Sequence, residues 1–187
     1  MKIFSRASDF SFRKLFRAGS IFVVLIAYGF AQPKVKVETA DFAGPRPLED
    51  QTRASVVRDY LQAWKSLDSA FRNNRPDLLD AYFVGVAQEK LAHTISEQRK
   101  IGIQTSYRDR SHVLKLLFYS PEGLSVQLDD AVQYDEDVVD SKGAHIVRHI
   151  TTHYLAVLTP TEVRWKVRIF QAQPKANADV AQLKTKD

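Results

Sequence analysis

Val163-Arg164-Trp165-Lys166-Val167-Arg168-Ile169 alternates apolar and basic residues without a break, and this stretch decides the fold class. Period-two alternation marks a strand with one apolar and one wet face. Working outward, Thr159-Pro160-Thr161 is a short turn, and His145 to Leu158 is a long strand rich in β-branched Ile146, Val147, Ile150, Thr151 and Thr152. Asp140-Ser141-Lys142-Gly143 is the turn before it. Val126, Leu128, Val132 and Tyr134 alternate with Gln127, Asp129 and Gln133 to form another strand. Pro121-Glu122-Gly123 separates that strand from Leu114, Leu116 and Phe118, which alternate with Lys115 and Tyr119 from about Ser111. Four strands joined by short turns predict an antiparallel meander.

The residues before the strands carry helical periodicity. Val57, Leu61, Trp64, Leu67 and Phe71 recur at steps of three and four, predicting a helix from Asp50 or Thr52 to about Arg72. Pro76 suits the first turn of a short second helix with Leu78, Leu79, Tyr82 and Phe83. A third helix is expected from about Val86 to Lys100, with Val86, Ala87, Leu91 and Ile95 on one face and Gly102 as its stop. The expected fold is α+β: three N-terminal helices packed on a four-stranded antiparallel sheet. The Trp64 stripe should meet the sheet face of Leu116, Trp165 and Val167.

Residues 1–31 read as a targeting segment. Lys2, Arg6, Arg13, Lys14 and Arg17 precede the apolar run Ile21 to Tyr28, and Gly29-Phe30-Ala31 places small residues at a cleavage site. A signal peptide cut after Ala31 is expected, with a short membrane anchor as the alternative. The apolar run falls short of the roughly 20 residues that a spanning helix needs. Either way the domain is exported, periplasmic or secreted. Residues 32–49 contain Pro33, Pro45 and Pro47 and read as a linker or extended arm. Residues 50–174 form the domain, and 175–187 read as a disordered tail.

The net charge is +5, from 27 basic and 22 acidic residues. Setting aside the five basic residues and one acid (Asp9) of the targeting segment leaves 22 and 21, so the domain itself is nearly neutral. A nucleic-acid partner is not expected. With no cysteine, disulfides, thiolate metal sites and a cysteine nucleophile are excluded.

The layout resembles the NTF2-like, cone-shaped α+β superfamily over about Gln51 to Gln173. Within it the chain is most similar to ARC6-type inner-membrane-space domains. The similarity lies in Tyr60-Leu61-Gln62-Ala63-Trp64-Lys65, the helix around Leu91, and Val163-Arg164-Trp165-Lys166-Val167. Such a resemblance implies a cone with a space between sheet and helices. It is compatible with isomerases and dehydratases, small-molecule binders, and non-catalytic envelope domains. Fold alone does not choose among them.

Four groups of residues are candidates for function. His145, His149 and His153 share one strand parity. Four strand residues span roughly 13 Å, which is too far for one zinc ion, so no metal is expected. The row reads as a wet face beside Asp129 or Asp135, or as a partner surface sensitive to mild acid. Asp130 and Tyr134 share the apolar parity of Val126, Leu128 and Val132, and a carboxylate facing a core needs a partner. In the pocket that the resemblance implies, Asp130 would be a base, Tyr134 or Tyr154 would donate to an oxyanion, and Arg148 would be the alternative partner of Asp130. Tyr107 to His112 reads as a structural corner or an anion-binding lip. Arg164, Lys166 and Arg168 form a basic ribbon suited to a peripheral contact with anionic lipid headgroups, or to a solvated, charge-protected edge.

The expected role is non-catalytic: an exported domain that binds an envelope protein or a small apolar ligand without a cofactor; a homodimer through the open sheet face would be ordinary for the fold it resembles. The alternative is a cofactor-free lyase or isomerase using Asp130 and Tyr134.

Overall fold

The computed structural model describes residues 32–38 and 45–173. The targeting segment 1–31 and the tail 175–187 lie outside the described residues. In chain order the elements are β1 (Lys34–Glu38), α1 (Asp50–Arg72), a 3₁₀ turn (Pro76–Leu79), α2 (Gly85–Lys100), β2 (Gln104–Tyr119), β3 (Val126–Val139), β4 (His145–Pro160) and β5 (Trp165–Gln173). The strands form one sheet in the order β1-β2-β3-β4-β5. β1 runs parallel to β2, and the other pairs are antiparallel. Among the described residues no helix is long and apolar enough to cross a membrane.

Three features of the expected fold are corrected. Among the described residues there are two α-helices, because Pro76 to Leu79 makes a single 3₁₀ turn with Leu78 N–H bonded to Arg75 O at 3.2 Å. The sheet has five strands and is mixed. Lys34-Val35-Lys36-Val37-Glu38, inside the stretch read as a linker, alternates well enough to add a parallel edge strand. Its flanking prolines obscure that short signal. The sheet is also open, with β1 and β5 as its two edges, so it does not close into a cone.

Local irregularities decide which side chains face inward. Register shifts fall between Asp109 and Ser111, between Leu116 and Phe118, and opposite Val157 and Leu158. Each inserts an extra residue and switches the face of the residues after it. On β5 the extra residue is Arg168, since Leu158 pairs with Val167 and Val157 with Ile169. Trp165 and Val167 therefore point into the core, whereas Ile169 is exposed and Phe170 turns inward. The strict alternation read across Val163 to Ile169 fails at that bulge.

α1 lies over the inner sheet face. Its buried stripe is Val56, Tyr60, Ala63, Trp64, Leu67, Ala70 and Phe71, rotated from the expected one, so Val57 and Leu61 are only half-buried. The core joins that stripe to Leu114, Leu116, Val126, Leu128, Val132, Ala156, Leu158, Trp165 and Val167. Polar tethers hold the helix in register. Asp59 Oδ2 accepts from Trp165 N at 2.9 Å, and Asp68 Oδ1 accepts from Tyr107 N at 2.8 Å. At the far end, Gln98 on α2 donates to Phe71 O (2.7 Å) and Asn74 Oδ1 (2.6 Å) and accepts from Thr105 Oγ1 (3.0 Å). α2 buries Ala87 and Ile95, while Val86 is exposed.

Candidate active site

The alternation of β3 turns Val126, Leu128, Asp130, Val132 and Tyr134 inward, and all five are buried. Asp130 has no exposed surface. Its Oδ2 accepts from Tyr60 Oη on α1 at 2.9 Å and lies 2.8 Å from His112 Nδ1 on β2. His112 is completely buried as well, and its Nε2 lies 3.6 Å from Asp109 Oδ2. That is an ion-pair distance, longer than a hydrogen bond. The imidazole thus sits between two carboxylates.

An aromatic shell surrounds this centre. The Trp64 ring stands edge-on to His112 (centroids 5.4 Å apart), Tyr154 (5.3 Å) and Phe170 (5.4 Å), and tilts against Tyr134 at 5.7 Å. Tyr134 and Tyr154 bring their hydroxyls to 3.4 Å. Tyr154 stacks on Phe170 at 4.4 Å. Tyr107, Tyr154 and Phe170 are partly exposed and form the solvent side of the cluster.

The electrostatics follow from burial and charge. Burial alone would lower the His112 pKa, but the hydrogen bonds and charges of Asp109 and Asp130 outweigh it and raise the group to about 9. The ring is therefore an imidazolium at neutral pH. Burial pushes Tyr134 and Tyr154 upward, so these phenols stay protonated and can donate. Tyr60 is raised well above its ordinary value by burial and by the Asp130 charge beside it.

Polar satisfaction sets this cluster apart. Asp59, Gln98 and Thr105 are buried with their partners supplied. In contrast, His112 Nε2, Asp130 Oδ1, Asp109 Oδ1 and Trp64 Nε1 are buried without a hydrogen-bond partner. Each such group costs about 1–3 kcal/mol. Four converging on one centre are poor design for a packing core and suitable for a reactive site. This buried Asp–His–Tyr cluster overturns the expectation of a non-catalytic binding domain.

The other candidates lie elsewhere. His145, His149 and His153 are exposed on the outer face and pair with Asp137 (2.6 Å), Asp135 (3.1 Å) and Asp129 (3.0 Å). Among the described residues no three His, Cys, Asp or Glu side chains are grouped to hold a metal. Arg148 pairs with Glu136, one strand position beyond Asp135, and not with Asp130. Arg164 places its guanidinium 4.8 Å from the Tyr82 ring centroid, and Lys166 Nζ donates to Asp80 O at 2.7 Å. Two of the three cations of the basic ribbon thus hold the segment before α2, while Arg168 sits on the bulge and is exposed. A cleft of about 380 Å³ lined by Ala81, Thr161, Glu162, Val163, Arg164 and Lys166 shares no residue with the Asp130 cluster.

Tyr60 was not among the candidate residues, and Asp109 and His112 entered only as parts of the 107–112 segment. His112 shares the parity of Leu114 and Leu116, a usable signal. Residues 107–112 were expected to form a corner or an anion-binding lip, whereas they belong to the first half of β2, which begins at Gln104. Asp109 faces inward only because of the bulge at Arg110. Tyr60 lies outside the expected stripe and meets Asp130 across 70 residues of chain.

No protein-family model and no curated protein sequence matches the chain. Solved structures do. The intermembrane-space region of the chloroplast protein ARC6 aligns with a TM-score of 0.52 at 16% identity, covering 68% of this chain and 98% of that one. A candidate scytalone dehydratase from Novosphingobium aromaticivorans aligns with a TM-score of 0.47 at 11% identity, over 67% and 89% of the two chains. A Catenulispora acidiphila protein in complex with S-DNPA gives 0.45 at 13% identity, over 64% and 92%. The likeness to the ARC6 intermembrane-space region is one of fold, at low sequence identity.

Proposed function

We propose that the chain is a cofactor-free lyase or isomerase acting on a small cyclic hydroxy-carbonyl compound in the cell envelope. The observation that carries this reading is the buried His112–Asp130 pair with its unpartnered Nε2 and Oδ1 atoms inside an aromatic shell. In the lyase form, Asp130 Oδ1 takes a proton from the carbon next to the carbonyl. The electron pair moves to the carbonyl oxygen, which the Tyr134 and Tyr154 hydroxyls stabilise by donation. The resulting enolate expels the β-hydroxyl group, which receives the His112 Nε2 proton and leaves as water. The products are an unsaturated ketone and water. The aromatic shell is closed by direct ring contacts, so a flat, apolar substrate enters only when the partly exposed Tyr107, Tyr154 and Phe170 rings part.

The test is a panel of cyclic β-hydroxy ketones, with turnover read as the absorbance of the conjugated product. Asp130→Asn should lower turnover at least a hundredfold with the circular dichroism spectrum retained, and Tyr134→Phe should lower kcat by roughly tenfold or more. Equal turnover by wild type and Asp130→Asn would exclude the reading. Export is the second part of the proposal and rests on the basic and apolar pattern of residues 1–31. A mature chain beginning at Gln32 supports it, and cytosolic recovery of the intact chain refutes it.

A further inference from the structure

We propose that Asp109 is a positioning residue for His112, set by the Arg110–Asp135 clasp on the opposite face of the sheet, and that it restricts the site to uncharged hydroxy and carbonyl compounds. This deepens the proposed lyase or isomerase function and rests on it for the chemistry of the ligand.

Asp109 and His112 are three residues apart on one strand, so regular alternation would send them to opposite faces. The register shift between Asp109 and Ser111 absorbs one residue and turns both inward. The absorbed residue is Arg110, which points to the outer face. Its Nε lies 2.9 Å from both oxygens of Asp135, and its Nη2 lies 2.7 Å from Oδ2. His149 Nδ1 adds a fourth contact to the same carboxylate at 3.1 Å. The clasp holds the bulge, and the bulge presents Asp109.

On the inner face, Asp109 Oδ2 stands 3.6 Å from His112 Nε2, and its Oδ1 is buried without a partner. The imidazole is aimed by charge while its Nε2 hydrogen stays available to an incoming oxygen. Asp109 from its own strand, Asp130 from β3 and Trp64 from α1 face His112 directly; Tyr60 stands behind Asp130, and Tyr134 and Tyr154 stand behind Trp64. Arg110 is turned away and spent on Asp135. Two carboxylates therefore face one imidazolium, and a ligand carboxylate is repelled. A neutral oxygen accepts the Nε2 proton at no such cost. The elevation of His112 to about 9 agrees with attraction from both sides.

The experiment is an NMR titration of the His112 imidazole in the full chain, in wild type, Asp109→Asn and Arg110→Gln, with circular dichroism to confirm folding. Asp109→Asn should lower the titration midpoint by about one pH unit or more, and Arg110→Gln should lower it less. Cyclohexanone and cyclohexanecarboxylate are then compared as ring-matched probes through the His112 resonances. Wild type should bind the carboxylate at least tenfold more weakly than the ketone, and Asp109→Asn should narrow that ratio tenfold. An unchanged midpoint in Asp109→Asn overturns the positioning role. Equal binding of the two probes, or of neither, overturns the charge restriction. If Asp130→Asn abolishes elimination while Asp109→Asn leaves the midpoint in place, only the role of Asp109 fails. A lowered midpoint in a protein with no eliminating activity refutes the lyase reading and leaves the positioning role standing.

Discussion

Replacing His112 by Gln removes the proton that links β2 to β3 while keeping a side chain of similar size. The folded protein holds His112 at about 9, against 6.5 for the free group. Between those values the folded state binds more protons than the unfolded chain, so stability falls as pH rises. The contribution is complete below pH 6.5 and is lost as pH passes through 9. At 1.36 kcal/mol per unit the difference amounts to about 3 kcal/mol. The assay is guanidinium unfolding of wild type and His112→Gln at intervals from pH 6 to 9.5. Taking the difference between the two proteins cancels the titration of the outer histidines. Tyr60, Tyr107, Tyr134 and Tyr154 are all raised above the ordinary phenol range and do not enter this window. Wild type should exceed the variant at pH 6 and lose about 3 kcal/mol of that advantage by pH 9.5. A difference that stays constant across the range would show that His112 is not held as an imidazolium between Asp109 and Asp130.

The packing sets three more expected outcomes. Trp64, nearly fully buried against His112, Tyr134, Tyr154 and Phe170, should cost about 3–5 kcal/mol when changed to Ala, measured by chemical denaturation. Asp59→Ala leaves the Trp165 backbone N–H without its buried acceptor; a loss of about 1–3 kcal/mol is expected, with hydrogen exchange at Trp165 accelerated. Gly123 has φ +73°, and a Cβ there would lie 2.9 Å from Tyr119 Oη; Gly123→Ala should cost about 1–3 kcal/mol and lower Tm.

Much of the site was legible by parity. Asp130 and Tyr134 share the register of Val126, Leu128 and Val132, so alternation alone sends them into the core. The same parity reaches His112 through Leu114 and Leu116. Asp109 could not be read this way, because an extra residue at Arg110 changes the face without leaving a periodic trace. The inward turn of Phe170 has the same origin, at Arg168. Tyr60 was hidden for another reason: the α1 stripe is rotated so that a tyrosine, whose hydroxyl is committed to Asp130, replaces the more apolar Leu61 at the core.

The extended character of β2 to β5 and the helical character of α1 and α2 were determined by the sequence itself. Side-chain periodicity and turn residues act within a few positions and need no distant partner. The strand at Lys34–Glu38 and the mixed, open sheet were decided only by tertiary structure, since five alternating residues gain a place only through pairing with β2. The buried Asp–His–Tyr cluster belongs to the same category. Tyr60, Asp109, His112 and Asp130 come from a helix and two strands, and their contacts exist only when α1 is packed on a sheet whose bulges have set the final register.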